Sequence, residues 1–212
     1  MRAGAADAVS EAPLQRLLEE LQLLLVERSI RYGDFTLASG ARSHYYCDAK
    51  LTLLSPRGAR LCGEALCRVL EVCDAEAVGG LAMGAAYVAA GVAQASAGRD
   101  HRLYGFTVRS ERKEHGRGQK IDESWHPGGG PLLGPGRRVA VVDDVVTTGS
   151  STVKAIEAVQ SAGCEVRVVA AILDRQAGGA ERFAGMGLPF YSLFVADETG
   201  TLSIGELPAG LL

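Results

Sequence analysis

Apolar residues at Leu14, Leu17, Leu18, Leu21, Leu24 and Leu25 recur at the three- and four-residue spacing of one helical face. They predict a helix over Pro13 to Val26, packed across a sheet or a subunit interface. A second stripe, Ala59, Cys62, Leu66, Val69 and Leu70, follows Ser55-Pro56. That pair suits the N-cap and first position of a helix running to about Val72. Short apolar runs at Ala77 to Gly80, Leu103 to Val108, Arg138 to Val142 and Val166 to Leu173 read as strands, most of them separated by helical patterns. Strands alternating with helices predict an α/β chain, with a doubly wound, mainly parallel sheet and helices on both faces. Between Ile121 and Arg137 the periodicity gives way to Pro127-Gly128-Gly129-Gly130-Pro131 and Gly134-Pro135-Gly136. Residues 109–136 are therefore expected to form a long, exposed, flexible loop.

The run Val139 to Val142 suits a strand covered on both faces, and Asp143 and Asp144 are expected at its carboxyl end, where such sheets bind ligands. Thr147, Thr148, Ser150, Ser151 and Thr152 follow, interrupted only by Gly149. A turn of small hydroxylated residues opening a helix lets backbone N–H groups converge on an anion while side-chain oxygens add donors. The carboxylates would repel a polyphosphate unless a cation or sugar hydroxyls lay between, and vicinal ribose hydroxyls satisfy them. A sugar 5'-phosphate fits the hydroxylated turn. No Gly-Lys-Ser/Thr ending is present, which argues against an ordinary nucleoside-triphosphate loop. The plainer expectation is a strand end followed by a helix capped by Ser150 or Ser151.

With 212 residues and 47% hydrophobic composition, the chain is long enough for one sizeable domain, expected over residues 13–212. A net charge of -3 offers no general attraction to nucleic acid or anionic membrane. Residues 1–12 read as a disordered tail without the apolar core of a signal peptide, and the longest apolar stretch, Met83 to Ala95, is broken by glycine. The cysteines at 47, 62, 67, 73 and 164 form no Cys-x-x-Cys pair, so a reducing cytoplasm is the expected location. Positive charge is local: Arg109, Arg112, Lys113, Arg117 and Lys120 accompany His115 and two glycines. Alone such a segment reads as solvated surface. After a strand, in a chain with a ribose-phosphate motif, it reads as a pyrophosphate clamp. Cations there would meet negative charge developing on a departing pyrophosphate. A lone arginine such as Arg175, at the end of an apolar run, more often forms a surface ion pair, here with Asp174.

The segment Val141 to Thr152 resembles the 5-phosphoribosyl 1-pyrophosphate (PRPP) signature of the type I phosphoribosyltransferases. Gly33-Asp34-Phe35-Thr36-Leu37-Ala38-Ser39-Gly40, Ser43-His44-Tyr45-Tyr46-Cys47-Asp48, Arg109 to Gly118 and Leu173-Asp174-Arg175-Gln176 are similar to orotate phosphoribosyltransferase, in that order, over about residues 20 to 198. The resemblance implies the type I fold with a small N-terminal hood, and transfer of the phosphoribosyl group of PRPP to orotate in pyrimidine synthesis. It places Asp143, Asp144, Val145, Val146, Thr147, Thr148, Gly149, Ser150 and Ser151 around PRPP. Arg109, Lys113 and His115 would contact pyrophosphate from a loop reaching into the neighbouring subunit of a homodimer. Lys113, His115, Asp143 and Asp144 carry the catalytic roles, and Thr147, Arg175 and Phe35 would meet orotate, with Tyr45 and Tyr46 near its ring. Magnesium is implied as a cofactor held mainly by PRPP and water, without protein ligands. Three positions depart from the pattern: Ser110 replaces a basic residue, and Gly84 and Ala38 stand where some members carry lysine. Two alternatives remain open: a phosphoribosyltransferase for another base, and a PRPP-binding regulator, which the acidic charge and the short segment before Tyr32 disfavour.

Overall fold

The computed structural model describes residues 12–36, 42–110, 121–123 and 128–212. The chain runs α1 (Leu14–Arg28), β1 (Ile30–Thr36), β2 (Arg42–Cys47), α2 (Lys50–Leu53), α3 (Pro56–Glu71), β3 (Ala77–Leu81), α4 (Gly84–Ser96), β4 (Tyr104–Val108), β5 (Ile121–Glu123), β6 (Arg138–Val146), α5 (Ser150–Ser161), β7 (Glu165–Asp174), α6 (Gly179–Gly185), β8 (Phe190–Ala196) and β9 (Leu202–Ile204). Among these residues the main sheet has seven strands in the order β5-β4-β3-β6-β7-β8-β9. β4, β3, β6, β7 and β8 pair in parallel, and short antiparallel strands close both edges.

Strand alternation explains why helices cover both faces. Ala140 and Val142 join the core formed with α1, α3 and α4, whereas Val139 and Val141 point to the opposite core with Ile156 and Val159 of α5 and Phe183 of α6. Helix α1 buries Leu14, Leu17, Leu18, Leu21 and Leu25. Each fully buried leucine contributes roughly 1.5–3 kcal/mol, so this face, and not helix propensity, holds the helix in place. At α3 the expected start is observed: Ser55 caps the helix by accepting from Gly58 N at 3.1 Å, with Pro56 in the first turn. β1 and β2 form a separate antiparallel hairpin, the hood.

Two differences from the sequence expectation bear on the site. β6 does not stop at Val142 but continues through Val146, carrying both aspartates within the strand. Its partner explains the extension: β7 pairs with it as far as Val146↔Asp174. Within the segment expected to be a loop, Ile121–Glu123 forms a strand on β4, and Leu132 and Leu133 are buried against the α5 side of the sheet. Leu133 N donates to Glu123 at 2.5 Å, pinning the glycine-rich stretch to that strand. No described helix is long and apolar enough to cross a membrane.

Candidate active site

β6 outruns its other neighbour. β3 pairs with it only up to Gly79↔Val141, so Asp143 and Asp144 lie beyond the last paired rung, and Asp144 sits against Gly84, where α4 begins. The two carboxylates then diverge. Asp143 is buried; its Oδ1 accepts from Asp144 N at 3.1 Å, and its Oδ2 accepts from Ser151 Oγ at 3.0 Å and Thr152 Oγ1 at 2.9 Å. A carboxylate offers about four acceptor positions, so little remains for a ligand. Burial, aided by the neighbouring Asp144 charge and opposed by the two hydroxyl bonds, pushes the Asp143 carboxyl up to about 6. Asp144 is half-buried, with its carboxylate beside that of Asp143. It fills the space beside Gly84, where any β-carbon would collide with it. The absence of a side chain at position 84 thus makes room for this carboxylate.

The turn after β6 has the geometry of an anion cradle. Gly149 is the N-cap of α5, at φ 71°, and its carbonyl takes the first helical bond from Val153 N at 2.9 Å. The amides of Ser150, Ser151 and Thr152 therefore lack helical partners at the positive end of a 12-residue helix, and no side chain caps them. The expected serine cap is absent because the serines are engaged elsewhere: Ser151 on Asp143, Ser150 between Thr148 Oγ1 at 3.0 Å and Arg182 Nη1 at 2.8 Å. Thr148, Ser150 and Ser151 are exposed and Thr147 half-buried. Val145 is half-buried; Val146 is buried, and its carbonyl accepts from Arg175 N at 2.9 Å.

Arg175 begins where β7 ends and reaches the hood. Its Nε donates to Tyr45 OH and its Nη2 to Ser43 Oγ, both at 3.0 Å, with the guanidinium carbon 4.4 Å from the Tyr45 ring centre. Asp174 is not its ion-pair partner: that buried carboxylate accepts from Gln176 N at 2.9 Å, and burial raises its pKa. Tyr45 is 3% exposed, so it props the arginine and does not flank a ring in the crevice. Its support comes from Gly200, at φ 86°, where a β-carbon would lie 2.6 Å from Tyr45 Cγ. Phe35 and Tyr46 pair on the hood with ring centres 5.8 Å apart. Lys50 pairs with Asp48 at 2.7 Å, and that hydrogen bond, together with the charges of Asp48 and Asp144, raises the lysine pKa.

Arg109, at the end of β4, donates its Nε to Asp122 at 2.5 Å instead of lying free. Val108 and Ile121 share a rung, so the intervening segment starts and returns at one edge of the sheet. Lys113 and His115 lie outside the described residues, as do Arg112, Arg117, Lys120 and Ala38; Ser110 is exposed.

A phosphoribosyl transferase domain matches residues 73–184, from the end of α3 to α6. An orotate phosphoribosyltransferase of Rhodopirellula baltica is 41% identical over 91% of this chain and 98% of its own length. The chain belongs to the orotate phosphoribosyltransferase family. The solved orotate phosphoribosyltransferase of Mycobacterium tuberculosis, in complex with Fe(III) dicitrate, superposes with a TM-score of 0.70 at 36% identity, covering 83% of this chain and 94% of that one. A structure of the same enzyme with PRPP gives a TM-score of 0.65 at 32% identity, with the same coverage of both chains. The doubly wound sheet and hood are thus those of the orotate phosphoribosyltransferases.

Within this orotate phosphoribosyltransferase fold, three polar contributors escaped the sequence reading. Thr152 belongs to the quoted motif but braces Asp143, and Ser43 holds Arg175. Arg182 carried no local signal, since only the packing of α6 under the turn brings it there. Among the described residues no three His, Cys, Asp or Glu side chains converge as a metal cage. The hard carboxylate oxygens of Asp143 and Asp144 are donors of the kind a magnesium ion would take, alongside oxygens from a substrate and water.

Proposed function

We propose that this chain transfers the 5-phosphoribosyl group of PRPP to N1 of orotate, giving orotidine 5'-monophosphate and pyrophosphate in de novo pyrimidine synthesis. The observation that carries the reading is the convergence at one sheet rim of three unlike recognition elements: the Asp143–Asp144 pair, the uncapped amides after Gly149, and Arg175 braced by the hood. Asp144, with the remaining lone pair of Asp143, accepts the ribose hydroxyls. Thr147, Thr148, Ser150 and Ser151 with their amides hold the 5'-phosphate, and Val145 and Val146 carry the backbone into that turn. Arg175 offers its unused N–H groups to the carboxylate or carbonyl of orotate, with Thr147 and Phe35 bounding the ring.

The base is its own nucleophile, so the protein's task is to stabilise charge and exclude water. As the bond to pyrophosphate lengthens, positive charge grows on the sugar near the two carboxylates, and negative charge grows on the leaving group. Arg109, exchanging Asp122 for pyrophosphate, meets that charge with Lys113, and His115 can supply a proton. One such donor is worth on the order of 3 kcal/mol in the transition state. Magnesium, when bound, neutralises pyrophosphate oxygens. The reading includes a homodimer whose 109–120 segments enter each other's sites, and a cytoplasmic location. Following orotate consumption by ultraviolet absorbance with PRPP and Mg2+, beside adenine, hypoxanthine and uracil, tests it. Loss of the orotate signal alone is expected; consumption of a purine without orotate overturns the specificity.

A further inference from the structure

Helix α6 is wedged beneath the hydroxylated turn. Gly179 packs so closely on Val146 and the Thr147 carbonyl that a β-carbon there would collide with the valine methyl. The Phe183 ring is fully buried, packs tilted against Phe190 with ring centres 5.2 Å apart, and closes off the space under Gly149. These contacts fix the helix relative to the turn. Arg182, the residue before that anchor, is held at the surface with its Nη1 2.8 Å from Ser150 Oγ. Among the described residues it has no carboxylate partner, unlike Arg57, Arg99, Arg137 and Arg167, each paired with a glutamate. A guanidinium carries five donors and no acceptor, and Arg182 spends one of them on Ser150.

We infer that Arg182 is a phosphate-recognition residue: its guanidinium supplies the positive charge that the neutral 147–151 turn lacks and binds the 5'-phosphomonoester of the sugar substrate directly. The inference rests on the proposed role of that turn. Amides and hydroxyls solvate an anion but do not neutralise it, whereas arginine matches phosphate oxygens with a planar fork. The bond to Ser150 has a second consequence. Because Arg182 can only donate, the Ser150 oxygen must accept, which directs its own hydrogen toward Thr148 or toward the bound anion.

The test uses the full chain and two simple probes, ribose 5-phosphate and inorganic pyrophosphate, with affinities measured by calorimetry for the wild type, Arg182→Ala, Arg182→Lys and Thr148→Val. The expected result is about tenfold weaker binding of ribose 5-phosphate to Arg182→Ala, with pyrophosphate unchanged and Arg182→Lys recovering part of the loss. Salt dependence of ribose 5-phosphate binding should also flatten in Arg182→Ala but not in Arg182→Lys, a response that loss of packing alone would not produce. Unchanged ribose 5-phosphate binding in Arg182→Ala, alongside weakened binding in Thr148→Val, would overturn the inference and leave the turn's role standing. Unchanged binding in both variants would overturn the turn's role as well. Equal loss for both probes would show a general disturbance of the site and would also overturn the inference.

Discussion

Thr152 Oγ1, in the first turn of α5, donates to Asp143 Oδ2 at 2.9 Å, so the helix whose uncapped amides open the turn also holds the buried carboxylate at the sheet rim. This bond lowers an Asp143 pKa that burial has raised to about 6. Thr152→Val removes it with little change of shape. The acid limb of kcat/KM for PRPP is expected to move to higher pH, at a stability cost of about 1 kcal/mol by urea unfolding. The sign of the stability effect follows from linkage. The folded state holds a proton on Asp143 that the unfolded chain has released, so stability falls as pH rises from the ordinary aspartate range through about 6. In Thr152→Val that decline extends further upward. An acid limb that stays in place would show that Asp143 ionisation does not govern binding.

Gly149 meets two independent demands, a left-handed φ of 71° and the Phe183 ring, whose Cζ would lie 2.7 Å from any β-carbon. Gly149→Ala is expected to lose about 1–3 kcal/mol of stability and to weaken ribose 5-phosphate binding at least tenfold. Phe183→Leu in the same chain should recover part of the second effect by relieving the clash. Recovery to full affinity would mean that backbone conformation contributes nothing.

Gly84 leaves room for the Asp144 carboxylate. Gly84→Ala therefore displaces Asp144 and is expected to raise KM for PRPP by about tenfold, while moving the thermal midpoint by only a few degrees because alanine favours the helix. Steady-state kinetics with a parallel melt reads both. An unchanged KM would place Asp144 outside the sugar site.

Arg175 and Tyr45 separate charge from positioning. Arg175→Ala should raise KM for orotate by roughly 10- to 100-fold with little effect on PRPP binding, as expected on losing a charge-assisted hydrogen bond. Tyr45→Phe removes only the acceptor of the Arg175 Nε bond and keeps the ring under the guanidinium, so about a threefold rise is expected. Equal effects on orotate and PRPP would show a general collapse of the crevice.

The sequence disclosed what is local. The apolar run, the paired aspartates and the hydroxylated turn are contiguous, and their order alone indicates a strand, a rim and a helix start, though not that Gly149 would replace the expected serine cap. The stripes of α1 and α3 were legible because helical spacing needs no knowledge of partners. Long-range pairing was not. β5 is short and flanked by polar and glycine-rich sequence, and it exists because β4 offers it an open edge. The end of β6 was placed early because aspartate reads as a breaker, whereas the β7 ladder and the hydroxyls of α5 satisfy it inside the strand. Arg175 was recognisable, but its props, Ser43 and Tyr45, are separated from it by most of the chain and meet it only once the hood is docked.

Gly200 has the longest reach of these positions. It lies in the connection between β8 and the edge strand β9, yet it abuts Tyr45, which in turn steadies Arg175. Under the proposed role of Arg175, substitutions in that distal hairpin would retune nucleobase preference while leaving the 147–151 turn untouched. On that reading the fold separates the evolution of two specificities: the heterocycle would be adjusted from the sheet's outer margin, and the sugar phosphate from the turn after β6 and the helix beneath it.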